Sequence, residues 1–115
     1  LACIAPNRQS EELLMSFSRD EKMHAENFMK AYCRLTGKTY KPEPVRPPII
    51  VGYEEALKQR ILAETKDYQK YGDQYYCSRD PYLRKLFYDT RTVEGQHAMR
   101  IPILLHEMSG NCHEY

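Results

Sequence analysis

Three stretches of this chain place apolar residues at steps of three and four. The first runs Leu14, Phe17, Glu21, His24, Phe28, Ala31, Leu35. The second runs Leu57, Ile61, Glu64, Tyr68, Tyr71, Tyr75, and the third Leu83, Phe87, Thr90, Glu94, His97, Ile101, Leu104, Met108. Residues three and four apart share one face of an α-helix, and a continuous apolar face must be buried against other helices. No stretch shows the period of two that a half-buried strand needs. The expected fold class is therefore all-α, with long helices over about 8–36, 53–77 and 81–108.

The breaks agree with those limits. Asn7 follows Ala5-Pro6 and suits an N-cap. Asp80 and Pro81 suit an N-cap and a first helical residue. Residues 37–52 hold Pro42, Pro44, Pro47 and Pro48, so this connector cannot be helical and should run extended. Pro102 lies inside the third stripe and should kink or distort it. A helix of about 29 residues is about 44 Å long, and 16 extended residues reach about 50 Å. The connector can return along the whole bundle, which makes the first two helices parallel. The short break at 77–81 makes the last two antiparallel.

Size and charge limit the function classes. The chain has 115 residues and 13.6 kDa, a single domain over 1–115. Residues 1–6 are expected to end an upstream helix, and 109–115 to form a polar tail. Its net charge of +1 argues against nucleic acid as a partner. Apolar runs such as Ile101 to Leu105 are too short for a membrane span, and no secretory signal opens the chain. Cys3, Cys33, Cys77 and Cys112 form no Cys-x-x-Cys pair, so free thiols and a cytoplasmic location are expected.

The chemistry lies where ionisable residues interrupt the stripes. Glu21, His24, Glu64, Glu94 and His97 all fall on faces drawn from the apolar residues. A bare carboxylate in a helical core costs several kcal/mol. A divalent cation removes that cost, and neutral imidazole completes its coordination. Glu and His three apart can reach one ion, and the pair occurs twice, in Glu21-Lys22-Met23-His24 and Glu94-Gly95-Gln96-His97. The plainer alternative is that these residues face solvent. It is strongest for Glu64, whose neighbours Thr65, Lys66 and Asp67 are polar. Glu26, Glu54, Glu55 and Glu107 read as surface charges. The stripe of Tyr68, Tyr71 and Tyr75 reads first as aromatic packing. Tyr71, two turns from Glu64, is its best candidate for a catalytic role. His106, Cys112 and His113 read as part of the polar tail.

One lone Glu helix beside two Glu-x-x-His helices resembles the ferritin-like di-iron carboxylate family, rubrerythrin-type members especially. The resemblance covers nearly the whole chain, including the long crossover. It implies a ferritin-like four-helix bundle, seen as three long helices and a stub. It implies Glu21, Glu64 and Glu94 as bridging or terminal carboxylates, and His24 and His97 as terminal nitrogen ligands. The implied cofactor is two iron ions, with manganese or a mixed pair as the alternative. The implied function is an oxidoreductase acting on peroxide, dioxygen or ferrous iron. Iron storage and a metal-free helical interaction module are the rivals. The family pattern has a further helix with a second lone Glu, and residues 1–6 contain no Glu. The interval from Glu64 to Glu94, applied before Glu21, places that Glu upstream of Leu1. A homodimer or larger homo-oligomer is expected to cover the uncovered stripes. Without a rubredoxin-like cysteine site, electrons are expected from an external donor.

Overall fold

The computed structural model describes residues 1–44 and 52–112, and side chains up to residue 107. Every regular element is helical: α1 (Arg8–Thr36), α2 (Tyr53–Cys77) and α3 (Pro81–Cys112), preceded by a 3₁₀ turn at Ala2–Ile4. The turn is followed by extended Ala5, the conformation favoured before Pro6. Residues 45–51 of the connector and 113–115 of the tail lie outside the described residues.

Local chemistry sets the helix ends. Asn7 is extended, and its side chain accepts the Ser10 N–H at 2.8 Å. Gly37 closes α1 at φ 71, a left-handed position that glycine adopts freely, and its N–H donates to Cys33 O at 2.7 Å. Asp80 Oδ1 accepts the Tyr82 N–H at 2.8 Å and starts α3. Arg84 Nη1 donates to Tyr75 O and Ser78 O, both at 3.0 Å, and so ties the α2–α3 turn together. α3 runs unbroken through Pro102, which lies on an exposed face, and continues four residues past the expected end at 108.

The packing order confirms the expected directions. Going up α1, Leu14 and Phe17 share a core cluster with Leu57 of α2 and with Ile101 and Leu104 of α3. Further along, Phe28 stacks on Tyr71 of α2 at 5.5 Å and lies 6.0 Å from Phe87 of α3. Numbering rises together in α1 and α2 and falls in α3. Hence α1 and α2 are parallel, and both are antiparallel to α3. α3 packs against both other helices, whereas α1 and α2 barely touch. Between them lies a groove of about 420 Å³, lined by Leu14, Phe17 and Leu57 and by Glu21, Arg60 and Glu64. Among the described residues, no helix is long and apolar enough to cross a membrane.

Candidate metal centre

Between the aliphatic layer and the aromatic layer, the three helices bring their ionisable residues together. Ligand-type atoms of Glu21, Glu64, Glu94 and His97 all lie within 4.8 Å of one another. Residues from α1, α2 and α3 thus meet at one point. His97, Glu64 and Glu94 are 0%, 1% and 2% exposed. His24 is also buried, and its Nδ1 lies 3.1 Å from Glu94 Oε1. Glu94 therefore lies within reach of His24 as well as of the other three residues. All five residues singled out from the sequence are in this region.

Most of the cluster's polar atoms have no protein partner. Glu64 Oε2, Glu94 Oε2, Glu21 Oε1, His97 Nδ1 and both ring nitrogens of His24 are buried without a hydrogen bond. An unsatisfied buried polar atom costs about 1–3 kcal/mol, and more when charged. So many in one place fit a cation: carboxylate oxygens and neutral imidazole nitrogens are the donor set that divalent first-row metals take.

His97 shows how the site is oriented. Its ring stacks on Phe17 at 4.2 Å. Its Nε2–H donates to Asp20 Oδ2 at 2.8 Å. That bond leaves Nδ1 facing Glu21 Oε1 at 3.5 Å and Glu64 Oε1 at 3.6 Å. A carboxylate behind a metal-binding imidazole sets its tautomer and ring angle. Burial alone lowers the imidazole pKa, but the carboxylates of Glu21, Glu64 and Asp20 around the ring outweigh it and push His97 up to about 10. The same closeness to His97 holds the Glu21 carboxyl below its ordinary value. In the metal-free protein His97 is thus the cation that the carboxylates surround.

Two residues of the site were not expected from the sequence. Asp20 reads as one charge of a solvated run, yet it is the anchor of His97. Arg60, one turn before Glu64, donates from Nη2 to Glu64 Oε1 at the groove. Glu64 is therefore buried and faces the cluster, in spite of its polar neighbours. Tyr71 lies in the aromatic layer, its ring stacked with Phe28 and Phe87 at 5.5 and 6.3 Å. Tyr68, one turn after Glu64, rests its ring on Gly95, the residue after Glu94.

Comparison with curated proteins and with solved structures returns no match. The family model for rubrerythrin matches residues 1–105, a span that takes in α1, α2, most of α3 and every residue of the cluster. The all-helical fold and a carboxylate–imidazole cluster able to hold metal accord with that match, and the chain belongs to the rubrerythrin family.

Proposed function

We propose that the cluster binds two iron ions and that the protein is a non-haem di-iron oxidoreductase acting on peroxide, dioxygen or ferrous iron. The observation that carries this is the set of Glu21, Glu64, Glu94 and His97 atoms within 4.8 Å, three of the four residues buried and many of their polar atoms unpartnered. Glu94, within reach of both His24 and His97, is the carboxylate two ions would share. Bound iron would supply the electrons that reduce an oxygen–oxygen bond. The chain's own residues do the rest. Asp20 holds His97 in the tautomer that offers Nδ1. Phe17 and Leu57 keep one side of the cluster dry. Glu21, with a side chain 44% exposed, faces the groove and is the carboxylate with most room to swing. The groove is the way in for a small oxidant.

Manganese or a mixed pair fits the same donors. Self-association into a homodimer or larger homo-oligomer is part of this proposal, supported by the uncovered apolar groove. A chain that stays monomeric at high concentration counts against that part. A cytoplasmic location accords with the free, exposed Cys3, Cys33 and Cys77, and an external electron donor belongs to the same proposal. The test is anaerobic ferrous loading followed by peroxide or air, with iron oxidation followed in time. Fast stoichiometric oxidation by one oxidant is expected, and bound iron inert to both rules out the oxidoreductase. A mass of many chains with far more iron than ligands points to storage.

A further inference from the structure

Gly72 and Gly95 lie inside helices, where each costs about 1 kcal/mol relative to alanine. Both stand where a neighbour comes close. A Cβ on Gly95 of α3 would meet Cδ2 and Cε2 of Tyr68 at 3.0 and 3.1 Å, and one on Gly72 of α2 would meet Cδ of Arg91 at 3.3 Å. The two neighbours thus admitted belong to one stack. The Arg91 guanidinium carbon is 5.0 Å from the ring centroid of Tyr68 and 5.0 Å from that of Tyr88. Tyr88 is 5.6 Å from Tyr75, and Tyr75 is 5.4 Å from Tyr76. Tyr68 stands one turn after Glu64 and against the residue that follows Glu94. Tyr76 is 77% exposed. A run of tyrosines therefore begins one turn after Glu64, against the residue that follows Glu94, and ends in solvent at the α2–α3 turn.

We propose that this run, Tyr68–Arg91–Tyr88–Tyr75–Tyr76, carries oxidising equivalents from the metal centre to the surface. It rests on the peroxide-reactive centre proposed above. The chain has ten Tyr and no Trp, so phenol is its most readily oxidised ring. Tyr68 loses one electron, and its phenolic proton passes to water, which its 41% exposure permits. Arg91 lies against the ring faces of Tyr68 and Tyr88, where a cation disfavours a positively charged ring and so favours proton loss with the electron. Tyr88, Tyr75 and Tyr76 then each reduce the phenoxyl before them. The first hydrogen peroxide is spent on the two ferrous ions, which become ferric as it becomes two waters. A second takes two electrons and two protons from two phenols, one in each of two passes along the run, and also becomes two waters. A one-electron reductant at the surface restores Tyr76. Without it, two Tyr76 phenoxyls from two copies join by a carbon–carbon bond between their rings.

The test uses the purified chain loaded anaerobically with ferrous iron. Bound iron and its oxidation by one hydrogen peroxide per iron pair are measured first, and further peroxide is then added without reductant. The same samples are frozen for electron paramagnetic resonance and assayed for dityrosine-linked dimer. A phenoxyl signal and a cross-linked dimer are expected. Tyr76→Phe should abolish the dimer and keep the signal. Tyr68→Phe should lower both several-fold, with helix content and melting unchanged. Tyr40→Phe, an exposed tyrosine away from the run, should change neither. Bound iron that the first peroxide oxidises, with no phenoxyl signal after the further peroxide, overturns the inference and leaves the di-iron centre standing. So does cross-linking that survives Tyr68→Phe or that Tyr40→Phe lowers equally. Iron that does not bind overturns both.

Discussion

Glu21-x-x-His24 and Glu94-x-x-His97 share a spacing and differ in surroundings. α3 packs against both α1 and α2, and its pair is 2% and 0% exposed. α1 has α3 on one side and the groove on the other, so the Glu21 side chain is 44% exposed. Spacing decides which residues share a helix face. The neighbouring helices decide whether that face is dry, and so how much each carboxylate contributes to holding an ion. The α3 pair should be the tight half of the centre and Glu21 the adaptable half.

The largest expected effect breaks the buried half. Glu94→Ala removes the carboxylate that both histidines approach, and should weaken metal binding by more than about 100-fold, given that even outer partners cost about 10–100-fold. Glu21→Ala should cost about tenfold, since a half-exposed carboxylate is partly replaced by water. Competition with a chelator of known affinity measures both. Equal losses would erase the distinction between the halves.

Next comes pH. In the metal-free protein His97 titrates near 10 rather than at its ordinary 6.5. Its raised value stabilises the fold fully below about 6.5, and this contribution fades as pH rises towards about 10. Metal needs the neutral ring, so binding expels that proton, and affinity should rise by up to about tenfold per pH unit in the same window. Thermal melting of the metal-free chain and metal titrations between these limits should therefore move in opposite directions. Parallel trends would mean that His97 is not the ring that gives up its proton.

Asp20→Ala sharpens the buried half without touching a proposed ligand. His97 Nε2 loses its acceptor, and affinity should fall about tenfold. An unchanged affinity would show that Phe17 stacking alone orients the ring. Arg60→Ala is the smallest. It removes a half-exposed cation bound to Glu64 at the groove, so screening limits the effect and metal should bind only a few-fold more tightly. Weaker binding would mean that Arg60 supports Glu64 rather than competing for it.

The helices, their directions and the meeting of five ionisable residues were legible because periodicity and caps are local signals. Asn7, Gly37 and Asp80 mark their ends by chemistry that each residue carries itself. The end of α3 was not legible: Met108 closes the apolar stripe, but the helix continues to Cys112. Asp20 was hidden because a charge on a helix says nothing about the ring that will reach it from another helix. The packing of Tyr68 onto α3 depends on Gly95, across the α2–α3 contact. A lone glycine inside a helical pattern was the available signal for that close approach.

The most direct test of the buried cluster as a metal centre is elemental analysis of the purified chain after anaerobic ferrous loading and gel filtration. The unaltered chain is expected to retain about two iron per chain, as its ligand pattern implies, and His97→Ala to lose most of it while keeping its helix content. An unaltered chain that retains no metal, or a His97→Ala chain that retains as much, would contradict it.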